Sequence, residues 1–247
     1  MSPTELTAFL NGATIDETVV ALRPDYRALL LAVDGLEPEA AGAATDPLGE
    51  ALLVRAEAAA ARALAGRPVE DLPHVAAWRE AYRAFGAKPQ RTRNSLEALL
   101  RRAGSGLPRV NRLTDVYNAI SVIHQVPLGG EDVRAYEGPP RLVRADGTEP
   151  FPTTADGVET VEHPEVGEVV WRDDAAVTCR RWNWRQAPRT ALRPSTTTAL
   201  FVLDALHPLT DDQLDAAGNE LAGHLAHLGP DVTVVRRRIG GPSGGVH

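Results

Sequence analysis

Residues 107–132 read LPRVNRLTDVYNAISVIHQVPLGGED, and the fold class turns on the change of period inside this stretch. From Arg109 to Val126 the apolar residues Leu113, Val116, Tyr117 and Ile120 recur at helical spacing, which predicts a helix ending before Pro127. Asn111, Asp115 and Asn118, at i, i+4 and i+7, lay a stripe of short polar groups along the same helix. Such a stripe either faces water, or hydrogen-bonds a neighbouring loop or lines a cavity. After Gly129-Gly130 the texture changes to short β-like segments broken by glycine and proline. Helices before this point and strands after it predict an α+β fold, with a mixed or antiparallel β core flanked by helices.

Working outward, Val19–Leu22 and Ala28–Val33 are apolar runs split by Arg23-Pro24-Asp25-Tyr26, which suits two strands or a strand and a turn. Asp46-Pro47 supplies a cap and a first-turn proline for an alanine-rich helix that stops at Gly66. Val75, Trp78, Tyr82 and Phe85 form one apolar face of the next helix, and Asn94 with Glu97 sets a capping box for another. Downstream, residues 141–144, 168–171, 176–184 and 199–205 read as strands. Thr210 and Gln213 cap a helix with an apolar stripe, and Val232–Val235 reads as a last strand. This divides the chain into an N-terminal segment (1–70) packed on the main domain (71–235), and a flexible tail (236–247) ending in glycines.

The 247 residues carry a net charge of -7 and a single cysteine, Cys179. An internal disulfide and a cysteine-based metal site are excluded. His224 and His227 suggest no third ligand, and neither common glycine-rich phosphate loop occurs, so no metal or cofactor is expected. The N-terminus lacks a signal-peptide pattern and no apolar run reaches membrane-spanning length, which points to a soluble cytoplasmic protein. The charge is polarised: between Arg79 and Arg112 there are nine basic residues against Glu80 and Glu97. The net charge argues weakly against a nucleic-acid partner and this local distribution argues for one, while helix-end complementarity accounts for some of these residues, Arg101 and Arg102 among them, without RNA.

Residues 179–185, CRRWNWR, hold two of the four tryptophans and three arginines. If the segment is extended, Cys179, Arg181, Asn183 and Arg185 share one face, and Arg180, Trp182 and Trp184 the other. It is then either a strand with tryptophans in the core, or a groove that stacks rings and holds phosphates. Cys179 has no histidine pairing motif that would mark it as a nucleophile. The hydroxyl run Ser195–Thr198 offers polar contacts, though β-branched residues entering a strand explain it equally.

Three runs carry a resemblance to a known family. LPRVNRLTDVYNAISVIHQVPLGGED resembles the start of the B3/B4 module in the β subunit of bacterial phenylalanyl-tRNA synthetase, in its proline, asparagine, aspartate and Tyr/Asn pair along a helix leading to a proline-bearing loop. EVVWRDDAAVTCRRWNWRQAPRTALRPSTTTALFVLDAL is similar to its later part, and with FGAKPQRTRNSLEALLRR the chain looks most like free-standing B3/B4 proteins. The resemblance covers roughly residues 78–206. It implies a three-layer domain that hydrolyses tyrosine wrongly attached to phenylalanine tRNA, by positioning a water and the terminal ribose hydroxyl. Two departures stand out: Pro127-Leu128-Gly129 replaces a Pro-x-His pattern, and Trp182–Arg185 lies where the module has Gly-Gly-Glu.

The resulting expectation is a tRNA-binding protein that holds an aminoacyl-tRNA acceptor end and removes a wrong amino acid in trans with a positioned water. The alternative is a module that binds tRNA or an amino-acid-like ligand without catalysis; a third reading is a reused small-molecule pocket. Asn183, Asp115 and Asn118 are the candidate catalytic residues. Arg181, Arg185, Trp182, Trp184, Asn111, Thr198, Lys88 and Arg91 are the candidate substrate- and RNA-binding residues, with arginine suited to phosphate oxygens by its planar fork.

Overall fold

The computed structural model describes residues 1–38, 47–155 and 157–241. In chain order its elements are α1 (Pro3–Asn11), β1 (Thr14–Ile15), α2 (Glu17–Leu22), β2 (Arg27–Asp34), α3 (Pro47–Leu64), α4 (Pro73–Ala84), α5 (Ser95–Ala103), α6 (Arg112–His124), β3 (Leu128–Asp132), β4 (Arg141–Arg144), β5 (Phe151–Ala155), β6 (Val158–Glu162), β7 (Val169–Arg172), β8 (Val177–Arg180), β9 (Arg185–Gln186), β10 (Thr198–Ala205), α7 (Asp211–Leu225) and β11 (Thr233–Gly240). One sheet runs β11-β2-β10-β3, antiparallel throughout. A second runs β1-β4-β7-β8-β9, in which β1 and β4 are parallel and the other pairs antiparallel. β5 and β6 form a separate hairpin. The fold is α+β.

The central strands β2 and β10 are apolar at consecutive positions because both faces of their sheet are covered. Leu29, Leu31, Val33, Phe201 and Leu203 meet the helical layer of α3, α5, α6 and α7. Ala28, Leu30, Ala32, Leu200 and Val202 face the other way, onto α1, α4 and the second sheet through Leu142, Val169 and Trp171. Helices, four-stranded sheet and five-stranded sheet therefore stack as three layers.

The Gly129-Gly130 pair on β3 serves those two faces differently. A Cβ on Gly130 would lie 2.7 Å from Leu192 and 2.9 Å from Phe201, so packing requires glycine there. A Cβ on Gly129 would meet nothing within 4 Å. It fronts open space on the side of the second sheet.

Several local expectations are corrected. Val19–Leu22 lies in helix α2, because the Asp16 side chain accepts from Thr18 N and caps the turn, a local bond that outweighs the β-branched valines. At α5 the Asn94 side chain accepts from Glu97 N, but the Glu97 carboxylate turns instead to Arg79 and Arg101, so half a capping box forms. The box of Thr210 and Gln213 is complete. The tail expected from residue 236 begins later, because β11 carries the chain to Gly240 along β2, and Arg237 donates to the carbonyls of Leu10 and Ala13. From the segment 1–70, β2 enters the four-stranded sheet as an inner strand between β11 and β10. Asp46 and residues 242–247 lie outside the described residues. Among the described residues, no helix is long and apolar enough to cross a membrane.

Candidate functional site

The segment 176–185 does not continue as one strand. β8 stops at Arg180, and Arg181 and Trp182 take left-handed backbone conformations (φ +46 and +67) before β9 begins at Arg185. Such conformations are strained for side chains with a Cβ and persist only when the surroundings hold them. Here Trp182 N donates to Val169 O at 2.7 Å and Trp184 N to Arg180 O at 3.1 Å. The reversal breaks the alternation expected of an extended segment. Trp182 turns fully inward, its ring 4.9 Å from Tyr26 and 5.3 Å from Trp78. Trp184 remains half-buried, with the Arg181 and Arg185 guanidiniums 4.5 and 5.1 Å from its ring.

This turn forms one wall of a cleft of about 290 Å³ at the meeting of the three layers. α5 contributes Ser95 and Arg102, α6 Tyr117 and Asn118, β3 Gly129 and Glu131, β7 Trp171, β8 Cys179, β9 Gln186, and β10 Val202 and Asp204. Asn183 is held from both ends: its Oδ1 accepts from Tyr82 OH at 2.9 Å, and its Nδ2 donates to Asp204 Oδ2 at 3.2 Å. Tyr26 OH donates to the other Asp204 oxygen at 2.5 Å. Glu131 accepts from Tyr136 OH. Asn118 is 8% exposed, and its amide has no protein partner among the described residues.

Burial pushes both Asp204 and Glu131 up to about 7, against which the hydrogen bonds from Tyr26 and Tyr136 act only in part. Neither forms an ion pair among the described residues, although Arg189, paired with Asp173, acts on Glu131 by its charge and opposes the shift there. Burial, with Glu131 and Asp204 nearby, pushes the Cys179 thiol well up, which leaves it a poor nucleophile. A stability consequence follows. The folded protein keeps protons on both carboxyls up to about pH 7, while the unfolded chain releases them near the ordinary values of 3.8 and 4.5. The folded state thus binds more protons between these limits, and the pair's contribution to stability falls as pH rises through that window. His74, buried and lowered to about 4, acts in the opposite direction over part of it. The comparison of wild type with Glu131→Gln/Asp204→Asn isolates the carboxyls. Denaturant unfolding at pH 5 and pH 8 should show the double variant losing roughly 5 kcal/mol less than wild type across that interval, since each carboxyl contributes about 1.4 kcal/mol per pH unit over about two units.

Of the residues expected from sequence, Asn118, Asn183, Trp182 and Trp184 line this cleft. The others stand elsewhere. Asn111 caps α6 by accepting from Thr114 N, and Asp115, fully buried, accepts from Val110 N, so two members of the polar stripe secure the helix start. Thr198 is buried on the sheet and donates to Asp34. Arg181 donates to Thr92 and lies 3.5 Å from Glu168, and Arg185 pairs with Glu162 at 2.5 Å, so both are already neutralised. The basic run is partly internal too, because Arg79, Arg93 and Arg101 surround Glu97, and Arg109 joins Glu50 and Glu57. Lys88, Arg91 and Arg102 have no acidic partner among the described residues. Lys88 and Arg91 line a second hollow of about 520 Å³ that Arg181 also borders, and Arg102 stands at the cleft. Glu131, Asp204, Tyr82 and Gln186 were not anticipated.

Residues 77–217, more than half of the chain, match the model of the B3/4 domain. The chain belongs to the B3/4 domain family. Every residue that lines the cleft lies within the matched span of the B3/4 domain. Among solved structures, an N-terminal fragment of the phenylalanyl-tRNA synthetase β subunit from Pyrococcus horikoshii aligns at 12% identity with a TM-score of 0.44, covering 91% of this chain and 53% of the fragment. At that similarity it carries no argument, and this chain spans about half the fragment's length. No curated protein matches the chain.

Proposed function

We propose that this B3/4 domain protein receives the acceptor end of an aminoacyl-tRNA, places the acyl group in the cleft, and releases the amino acid by hydrolysis with a positioned water. The observation that carries this reading is Asn183, an amide fixed between Tyr82 and Asp204 at the wall of a cleft inside the B3/4 match. Fixed this way, Asn183 retains a second amide proton, and Asn118 offers a whole amide. One fixed amide and one whole amide facing the same cleft suit a water and an ester carbonyl without a covalent enzyme intermediate. Water's oxygen bonds to the acyl carbon, the ester C–O bond breaks, and the ribose oxygen leaves as a hydroxyl with a proton from that water.

Arg181 and Arg185 are occupied by Glu168 and Glu162, so phosphate contacts fall to Lys88, Arg91 and Arg102. Trp184, with guanidiniums over its ring, shapes the wall instead of stacking a base. Incubation with a panel of aminoacylated tRNAs is expected to release amino acid from at least one. Lys88→Ala and Arg91→Ala should each lower the slope of log affinity against log salt by about 1. Salt-insensitive affinity would remove tRNA from the account. Asp204 supports a second reading, binding without hydrolysis, because Tyr26 and Asn183 engage both of its oxygens. Measurable binding with no ester loss from any tRNA would establish it.

A further inference from the structure

The two buried acids divide the cleft. Register pairs Glu131 on β3 with Leu200 on β10, and Gly129 with Val202, so Asp204 stands four residues beyond Leu200 on the same sheet face. At about 3.3 Å per residue the two backbone positions are roughly 13 Å apart along the strands. Gly129 lies between them, and space is open where its side chain would be. Tyr117 and Trp171 provide aromatic surface, which favours cations, while the Trp184 ring already carries the Arg181 and Arg185 guanidiniums. Buried carboxylates are ordinarily paired; among the described residues Asp204 forms no ion pair, and Glu131 feels only the charge of Arg189, which is itself paired with Asp173. Asn118, a residue more than nine-tenths buried whose amide has no hydrogen-bond partner among the described residues, adds a site for a carbonyl oxygen.

We propose, resting on the reading above, that the acyl group taken by this cleft is that of a basic amino acid, with its α-ammonium and a side-chain ammonium directed to Asp204 and Glu131 and its carbonyl to Asn118. A single ammonium cannot serve both ends of the cleft, whereas two separated by a five-carbon chain span it. An apolar acyl group of the same length leaves one acid without a partner. Binding a dication also requires both carboxyls ionised, so it releases protons near neutral pH. The phenols of Tyr26, Tyr82, Tyr117 and Tyr136 and the Cys179 thiol around the pair do not enter that window, because burial pushes them up; Arg102 at the cleft and Arg189, which acts on Glu131 by its charge, are the cationic side chains nearby.

The test is calorimetric titration of the full chain with 1,5-diaminopentane and with 1-aminopentane, both fully protonated between pH 6 and pH 8. The diamine should bind at least ~10-fold more tightly at pH 8, strengthen from pH 6 to pH 8, and release protons. Glu131→Gln and Asp204→Asn, each close in shape to the original, should weaken it ~10-fold or more. Should either variant fail to fold, the wild-type comparison of the two amines decides. Equal affinity for the two amines, pH-independent diamine binding, or no binding of either would overturn the proposal. The probes carry no nucleotide, so the outcomes separate. Diamine binding without hydrolysis of any aminoacyl-tRNA defeats the hydrolase reading alone. Hydrolysis of apolar aminoacyl-tRNAs with no diamine preference defeats only this one.

Discussion

Trp182→Ala is expected to destabilise the fold by about 3–5 kcal/mol, measured by denaturant unfolding. The side chain is fully buried, and its indole meets Tyr26, Trp78 and Phe85 at centroid distances of 4.9, 5.3 and 6.3 Å. These rings join the four-stranded sheet, α4 and the turn after β8 into one cluster, so removing the indole opens a cavity that three elements line. The left-handed backbone at Trp182 adds to the effect, because the buried ring helps hold that conformation. Among the described residues the indole Nε1 makes no hydrogen bond of good geometry, so Trp182→Phe keeps most of the packing and should recover most of the stability. A loss under 1 kcal/mol for the alanine variant would place Trp182 outside the core.

Trp182 also shows how far the sequence could be read. The quoted stretch 107–132 predicted the helix, its end at Pro127 and the change to strands, because periodicity and proline act locally. The turn after Arg180 carries no glycine or proline to announce it, so extended alternation gave Trp182 and Trp184 one face when they have different fates. The β5–β6 hairpin was missed because its exposed Val158 and Val161 leave no alternating burial to detect. Asn118 and Asn183 were legible as site candidates through their spacing. Asp204 and Glu131 were not singled out, although each is an acid in a strand covered on both faces, and a charge in TALFVLDA is the signal that would have found Asp204. The partners of Arg181 and Arg185 lie 13 and 23 residues away, and sequence spacing does not reveal such pairs.

Asn183→Ala is expected to reduce hydrolysis of the aminoacyl ester by about 10²–10³-fold, the range seen when one oriented donor to a reacting oxygen is lost. The size of this loss follows from how Asn183 is held. Tyr82 OH occupies its carbonyl and Asp204 one of its amide protons, so the remaining proton points in a fixed direction. Tyr82→Phe removes one of those restraints while leaving the amide in place, and is expected to cost about 10-fold by loosening its aim. Both substitutions should act mainly on kcat, with KM for the tRNA little changed, since the proposed phosphate contacts, Lys88 and Arg91 in the second hollow and Arg102 at the cleft, are left in place. A rise in KM alone would make Asn183 a binding residue and favour the non-catalytic reading.

The most direct test of the account fills the cleft without altering any of its polar groups. Gly129 fronts open space beside Glu131 and Asp204, and its backbone needs no glycine-only conformation, so Gly129→Leu should fold with a wild-type melting temperature. The account predicts that this variant loses at least ~10-fold in ester hydrolysis while binding uncharged tRNA as before, because the leucine occupies the volume assigned to the acyl group. Undiminished hydrolysis by a folded Gly129→Leu protein would show that the acyl group is held somewhere other than this cleft.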